Sequence, residues 1–334
     1  MIVNRKGEDV RRLARFQTPV REDLQRFRRR YRETLESGHR LIDRIVAFVT
    51  RTHGKGLRPT LTLLCARLGG GEPGEAAIRS AVIVELLHEA TLVHDDVVDE
   101  APQRRGLQSL AARFRNKVSV LFGDYMLANV LTETLAARDL RWLDILAETA
   151  RRMARGELLE AAHSRRLDLT EEGYIEMIGH KTAALFGACC RMGALTGGLT
   201  DRQVDAAGRF GESFGIAFQI KDDLLDLFGD GALMGKPTAG DLKERKLTLP
   251  LLSALARSSP REARRIRARI RRGVGRRDVR LIADFVHRHG GVEYAERAMA
   301  ARAKAAIDAL EELPPSRIRD LLAEMAEFAV ARTR

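Results

Sequence analysis

The chain has few of the residues that build β-sheets and no long apolar runs. Aromatic residues make up 5 % of its 334 residues, and Val, Ile and Tyr rarely alternate with polar residues as they do in strands. Helix formers such as Ala, Leu, Arg and Glu dominate instead. No apolar stretch approaches the roughly 18 residues that a membrane-spanning helix needs. The N-terminal segment MIVNRKGEDVRRLARF has charged residues where a signal peptide would have an apolar core. We therefore expect an all-α protein without a membrane span or secretory leader.

Cysteine is also scarce. The three cysteines, Cys65, Cys189 and Cys190, lack the spacing of a zinc site and the number that a disulfide framework uses. Two of them are adjacent in an apolar helical run. Buried free thiols in a reducing compartment are the simplest interpretation, so we expect a cytoplasmic location.

The formal net charge of +12 is concentrated in one segment. Eleven arginines lie between Arg257 and Arg280 against only Glu262 and Asp278, which gives this segment +9 and leaves +3 for the rest. No aromatic residues interleave the arginines, so nucleic-acid bases would have no stacking platform, and we expect no nucleic-acid partner. The main interpretation is a solvated helix face, and the alternative is peripheral contact with an anionic membrane surface.

Helical patterns separated by short breaks follow one another along the chain. Apolar residues recur at spacings of three and four over 81–99, 117–137, 145–163 and 203–227, which predicts long helices. The first and last of these are apolar nearly all round and should be central. Breaks fall at 68–75, after Glu100, at 195–203, at 228–241 and at 258–260. None is long enough for an interdomain linker, so we expect one domain over 1–334, with a flexible basic arm over residues 1–20.

One acidic pattern occurs twice, as DDVVD at Asp95–Asp99 and DDLLD at Asp222–Asp226. Residues four apart share a helix face, so the first and last aspartate of each copy point the same way, with Asp96 and Asp223 beside them. Such carboxylates repel one another and are costly to bury unless cations neutralise them. Mg²⁺ fits best, because it takes one or two carboxylates and completes its shell with water and phosphate. An exposed acidic turn would explain one copy, but two copies after apolar runs favour a metal-held diphosphate.

Further motifs accompany the aspartates: HGKGLRP at 53–59, RRG after the first copy, GHKTAALF, FGIAFQIK before the second copy, and GKPTAGDLKERKLTLP. Together and in this order they resemble the trans-isoprenyl diphosphate synthase (polyprenyl synthetase) family, from about residue 35 to the C-terminus. The resemblance implies the isoprenoid synthase fold, a bundle of long antiparallel helices around a central cavity. It also implies a transferase, acting as a homodimer, that condenses isopentenyl diphosphate with an allylic diphosphate primer.

The same resemblance assigns roles to residues. Three Mg²⁺ ions, for which Mn²⁺ would substitute, would join the allylic diphosphate to Asp95, Asp99 and Asp222, with Asp96, Asp223 and Asp226 beside them. Arg104, Lys181 and Lys236 would contact this diphosphate, and Lys246 would also bind substrate. Isopentenyl diphosphate would bind Lys55, Arg58, His88 and Arg105. The Thr182 hydroxyl and the Gln219 amide would lie close to the allylic cation that forms.

Two positions depart from the family pattern. Arg245 stands where the family has the glycine before the lysine of the downstream motif, and Glu160 stands where GExxQ has glutamine. Neither departure removes a charged residue of the predicted site.

Two other classes of protein share these features in part. A non-catalytic subunit of a heteromeric synthase would have lost aspartates or basic residues, and this chain keeps them. Cyclisation or head-to-head coupling needs no separate isopentenyl site, yet Lys55, Arg58, His88 and Arg105 are all present.

Product length is predicted from residues before the first motif. Ala90 and Thr91 lie about one helical turn deeper than Asp95, at a level where short-chain members of the family commonly carry a bulky aromatic. Leu87 and Leu131, the latter on the GDYMLANVL helix, would then form the floor of a tunnel. Because no aromatic blocks the tunnel at this level, about one turn below Asp95, the resemblance implies a product of roughly thirty carbons or more, with geranylgeranyl diphosphate as the alternative.

Overall fold

The computed structural model describes residues 11–51, 54–104, 107–229 and 239–332. These residues form α1 (Arg21–Leu35), α2 (Arg40–Arg51), α3 (Leu57–Ala66), α4 (Glu75–Val98), α5 (Leu110–Phe114), α6 (Asn116–Ala136), α7 (Leu140–Arg166), α8 (Glu171–Ile178), α9 (Ala184–Thr196), α10 (Asp201–Phe228), α11 (Gly240–Lys243), α12 (Leu249–Arg257), α13 (Pro260–Arg272), α14 (Arg276–Arg288), α15 (Gly291–Leu310) and α16 (Arg317–Ala331). Two-residue strands, β1 (Gln103–Arg104) and β2 (Leu107–Gln108), pair antiparallel after α4. The predicted all-α class is confirmed.

Each of the four long helices predicted from periodicity is present, and their boundaries follow capping residues. The helix predicted over 203–227 begins at Asp201, because Thr200 and Gln203 form a capping box that satisfies the first backbone N–H groups. The helix predicted over 145–163 begins at Leu140, after the Asp139 side chain accepts the N–H of Arg141. The spacing of apolar residues alone could not predict these helix starts, because the first turns are polar.

Among the described residues, the interior consists of two apolar clusters that share α10. The first half of this helix, with Val204, Phe210 and Phe214, packs in a cluster with α1–α4, α6, α9 and α16. Its second half, with Ile220 and Leu224, packs in a cluster with α8 and α12–α15. As predicted, α4 and α10 are central: most residues of α4 are buried, and α10 contributes buried residues to both clusters. The one-domain interpretation is a proposal that rests on this shared helix.

The N-terminal arm differs from its prediction. Residues 11–17 are helical and lead through a 3₁₀ turn at Thr18–Val20 into α1, with Phe16 and Val20 buried in the core. The Arg15 guanidinium pairs with Glu324 of α16 at 2.8 Å. The expectation of a flexible arm is therefore wrong for residues 11–20, because two apolar side chains anchor them, and residues 1–10 lie outside the described residues. No helix in the described part of the chain is long and apolar enough to cross a bilayer.

Candidate active site at the two aspartate motifs

The first motif closes α4 and presents two of its three aspartates to one side. Asp99 ends the helix, and its backbone N–H donates to the carbonyl of Asp95 at 2.8 Å, which keeps the two residues in helical register. Among the residues that the structure describes, neither of these carboxylates has a hydrogen-bond partner. Asp96 is instead buried and accepts the Nε–H of Arg104 on β1 at 2.6 Å. Because burial and Arg104 engage it, Asp96 is less available to a metal ion than Asp95 or Asp99.

The second motif lies in the last turns of α10 and divides in a similar way. Asp223 is buried and accepts the Tyr174 hydroxyl at 2.6 Å and the Gln219 amide N–H at 2.7 Å. Asp222 lies partly exposed and pairs with Arg332, just beyond α16, at 2.8 Å. The Arg332 guanidinium also lies 3.9 Å from the centre of the Phe218 ring. Asp222, which is predicted to bind metal, is therefore paired with an arginine.

Asp226 holds the start of α11 by hydrogen bonds. Residues 230–238, which separate the two in sequence, lie outside the described residues. The two carboxylate oxygens of Asp226 accept the backbone N–H groups of Gly240 and Asp241, at 3.1 and 3.0 Å, at the start of α11. This contact caps a short helix and positions the following loop, which carries Lys246.

Lys181 lies in a π-helical turn, Gly179–Ala183, between α8 and α9. Such turns are common at functional sites. Its ammonium group donates to Glu157 and to Glu160 of α7, at 2.8 Å each. Close approach of α7 requires a glycine, because a Cβ at Gly156 would lie 2.5 Å from the backbone N of Lys181.

Lys246 reaches the same point from the other side. Its ammonium lies 3.0 Å from Glu160 Oε1 and 2.7 Å from Glu244 Oε2. A single carboxylate oxygen of Glu160 therefore joins both ammonium groups. We name Glu157, Glu160, Lys181 and Lys246 the lysine–glutamate cluster.

The site has an excess of negative charge, which shifts the pKa values of its carboxyl groups. Burial, and next the negative charge of Glu157, raise the pKa of Asp95 to about 7, although Lys181 opposes this. Burial and the neighbouring Asp226 likewise raise the pKa of Asp241 to about 7. Burial would also raise the pKa of Glu160, but the ammonium groups of Lys181 and Lys246 outweigh it and hold that pKa below its usual range.

The unbalanced carboxylates fit divalent cations that bind together with a phosphate ligand. In the described part of the chain, no three His, Cys, Asp or Glu side chains are close enough to hold a metal ion by themselves. Mg²⁺ does not require such a cage, because it is commonly held by one or two carboxylates, waters and substrate phosphate oxygens. Asp95, Asp99 and Asp222 are at least partly exposed, whereas Asp96 and Asp223 are buried. Both oxygens of Asp226 accept backbone N–H groups.

Two dipoles predicted to lie near the reacting carbon are in contact. The Thr182 hydroxyl donates to Gln219 Oε1 at 3.0 Å, while Nε2 of the same amide donates to Asp223. The amide is therefore held from both ends, and its oxygen is fixed beside the π-helical turn.

The predicted isopentenyl diphosphate residues are only partly described. Arg58 of α3 and His88 of α4 lie together, with Arg58 Nη1 2.9 Å from His88 Nε2. The Arg58 guanidinium also lies 4.7 Å from the centre of the Phe186 ring, which fixes its plane. Lys55 is exposed just before α3. Arg105, and Lys236 of the allylic site, lie outside the described residues.

Three of the four predicted chain-length residues, Leu87, Ala90 and Thr91, lie on α4. Leu87 and Ala90 are buried, and the Thr91 hydroxyl donates to the carbonyl of His88 at 2.7 Å. The expectation that Leu131 forms part of the tunnel floor is wrong: its side chain is 57 % exposed. The helical period turns Met126 and Val130 of α6 inward and Leu131 outward. A cavity does reach α4, but on the face of Leu92, Val93 and Asp96, beside α2.

Sequence reasoning missed several residues that touch the site: Tyr174, Asp241, Glu157 and Arg332. Tyr174 precedes its partner Asp223 by 49 residues, and no motif marks it. Asp241 belongs to the downstream motif and could have been selected as an additional acid. Arg332 comes from the far end of the chain and carries no local signal.

Comparison with known proteins gives a consistent picture. Residues 39–284 match the family model described as polyprenyl synthetase. The chain is 36 % identical over 302 residues to the octaprenyl diphosphate synthase of Escherichia coli K12, covering 90 % of this chain and 93 % of that protein. It superposes on a decaprenyl diphosphate synthase from Rhodobacter capsulatus with a TM-score of 0.90, 37 % identity, and coverage of 96 % and 99 %. A polyprenyl synthase from Caulobacter crescentus CB15, complexed with calcium and isoprenyl diphosphate, also gives 0.90, at 34 % identity and coverage of 96 % and 98 %.

Proposed function

The chain belongs to the polyprenyl synthetase family, and from this premise we propose that it condenses isopentenyl diphosphate head-to-tail with an allylic diphosphate. The product is an all-trans polyprenyl diphosphate, and the long-chain relatives match the expected length of about C30 or more. The reaction ionises the allylic C1–O bond, the isopentenyl double bond attacks the resulting cation, and loss of a proton restores an alkene.

One observation carries this proposal: both aspartate motifs lie beside the lysine–glutamate cluster. The charges of Glu157 and Lys181 act on Asp95 of the first motif. Asp226 of the second motif accepts the backbone N–H of Asp241, whose carbonyl accepts the backbone N–H of Lys246 at 2.8 Å. Carboxylates for cations and ammonium groups for phosphate oxygens are thus brought within mutual reach, as a diphosphate leaving group requires.

The allylic diphosphate would lie between these groups. Lys181 and Lys246 would donate to its oxygens and Arg104, held by Asp96, would donate from the side of β1. Mg²⁺ bound by Asp95, Asp99 and Asp222 would supply positive charge that stabilises the departing diphosphate. Because Arg332 pairs with Oδ1 of Asp222, a cation would bind this carboxylate through Oδ2 or displace the guanidinium.

The second substrate needs a site that does not promote its ionisation. Arg58 and His88 lie side by side, with Arg58 Nη1 2.9 Å from His88 Nε2, and Lys55 lies at the same end of α3. The planar guanidinium suits bidentate recognition of a phosphate. Beside the reacting carbon, the Thr182 and Gln219 dipoles would stabilise the cation without removing its proton.

We propose a homodimer formed through the outer face of α6. Four apolar side chains are exposed there, Val120, Leu121, Leu131 and Leu135. Their spacing places them on one side of the helix, and an exposed apolar stripe of this kind marks a protein contact. A second copy of the same chain would cover it.

We also propose a cytoplasmic location with peripheral membrane contact through α13 and α14. Their exposed arginines include Arg264, Arg265, Arg272 and Arg277, and among the described residues none of these has a carboxylate partner. Each basic residue near an anionic surface contributes about 1 kcal/mol. Sedimentation with vesicles containing anionic lipid, but not with neutral vesicles, tests the contact, and binding to RNA instead would refute it.

The activity is tested by incubating the purified protein with isopentenyl diphosphate, several allylic primers and Mg²⁺, followed by chromatography of the products. We expect chains of about C30 or longer. Geranylgeranyl diphosphate as the end product would establish the short-chain alternative, and no condensation in the absence of a second protein would establish the subunit alternative. Arg58→Ala should raise KM for isopentenyl diphosphate more than for the primer, and Lys181→Ala should do the reverse.

A further inference from the structure

Glu160 has an unexpected position for a carboxylate in a site that must bind a polyanion. Its side chain is 16 % exposed and lies between two ammonium groups. Because one oxygen, Oε1, contacts both Lys181 and Lys246, the carboxylate sets the distance between the two cations. It also adds a full negative charge next to the place where diphosphate would bind.

These two effects act in opposite directions on a bound diphosphate. The shared hydrogen bonds keep the two lysines together, which favours binding. The negative charge repels the ligand in a partly buried environment, where Coulomb interactions are stronger than in water. When Glu244 is added to the lysine–glutamate cluster, three carboxylates contact two ammonium groups.

We propose that Glu160 is a positioning residue that holds Lys181 and Lys246 in place while weakening the site's hold on free diphosphate. The inference rests on the proposed function, because diphosphate is the leaving group of that reaction. Every elongation step leaves one inorganic diphosphate behind, and the lengthened product must then move its own diphosphate into the vacated position. A site that bound diphosphate too tightly would stall after each condensation.

Glu160→Gln separates the two effects. The amide oxygen can still accept from both ammonium groups, so the geometry is retained while the charge is removed. We expect calorimetry with inorganic diphosphate and Mg²⁺ to show binding about tenfold tighter than in the wild type. Loss of structure cannot produce tighter binding, so the sign of the change excludes a trivial folding defect.

Kinetics gives a second readout. In Glu160→Gln, single-turnover bond formation should not slow, whereas steady-state turnover should fall and inorganic diphosphate should inhibit more strongly. A merely structural role would slow both rates together. Glu160→Ala, which removes charge and hydrogen bonds at once, should bind diphosphate less tightly than Glu160→Gln.

Glu244→Gln is the matched control. Glu244 contacts the same Lys246, but its side chain is 52 % exposed, so solvent screens its charge and diphosphate binding should change less than about threefold. Equal or weaker binding in Glu160→Gln would overturn the inference. Because the calorimetric measurement needs no condensation, its failure is distinguishable from failure of the proposed activity.

Discussion

Arg245 has a left-handed backbone conformation, with φ of 60°. This conformation favours glycine, because a side chain there crowds the following carbonyl. The residue immediately precedes Lys246, so the strained position is part of the turn that delivers Lys246 to Glu160. The glycine expected here from the family pattern therefore has a local physical reason, and the arginine keeps the turn at some cost in stability.

Arg245→Gly should stabilise the protein by about 1 kcal/mol, since it relieves the left-handed strain. Denaturant unfolding monitored by circular dichroism measures the change. Lys243→Gly is the control: this exposed residue lies in the regular turn of α11, where glycine should cost about 1 kcal/mol. A loss of stability in both variants would mean that the Arg245 side chain contributes more than its backbone costs.

The raised pKa of Asp95, about 7, makes metal binding depend on pH. In the folded metal-free protein this aspartate stays protonated at pH values where the unfolded chain, with a pKa of 3.8, has lost its proton. The stability that comes from this group is therefore present below 3.8 and is lost as pH rises towards 7. A divalent cation must displace that proton.

We predict that Mg²⁺ raises the unfolding midpoint more at about pH 8 than at about pH 6, because fewer protons compete with it. Differential scanning calorimetry with and without Mg²⁺ measures the difference. Asp95→Asn removes the titrating group and should flatten the dependence. If the Mg²⁺ effect is the same at both pH values, Asp95 does not bind the cation in its charged form.

At the scale of helices, α4 combines the metal-binding end with the predicted tunnel wall. Ala90 is fully buried one turn below Asp95, and its side chain is small. If the growing chain passes Ala90, Ala90→Phe should block it and shorten the product, with little loss of initial rate because no charge changes. Product chromatography measures the effect.

Val93→Phe is the matched comparison, because Val93 lines the cavity beside α2 on another face of α4. If Val93→Phe shortens the product and Ala90→Phe does not, the growing chain passes through that cavity. This pair of variants decides between the two faces.

The helical period predicted which residues of one helix share a face at this site. It could not predict contacts between residues on different helices. The alignment of Asp95 with Asp99 follows from a four-residue spacing, which any helix imposes. The burial of Asp223 under Tyr174 could not be predicted, because nothing local relates positions 49 apart. Leu131 was misplaced for a different reason: its apolar character suits an inner or an outer face, and only packing of α6 decides which.

For the whole molecule, the exposed apolar stripe on α6 predicts a defined assembly. Leu131→Glu combined with Leu135→Glu should convert a dimer into a monomer, because burying two carboxylates in an apolar contact is costly. Light scattering after size-exclusion chromatography measures the mass. Leu41→Glu changes an exposed leucine on α2 and should leave the dimer intact; the opposite pattern would place the interface at α2.

Helix α10 passes through both apolar clusters and carries the second aspartate motif in its last turns. Neither half of the interior can melt without exposing part of this helix, so the two halves should unfold as one cooperative unit. Heat inactivation should therefore follow the global melting curve, without a preceding phase in which an intact scaffold has lost its catalytic groups. For an enzyme of this design, a melting temperature would serve directly as the upper limit of its working range.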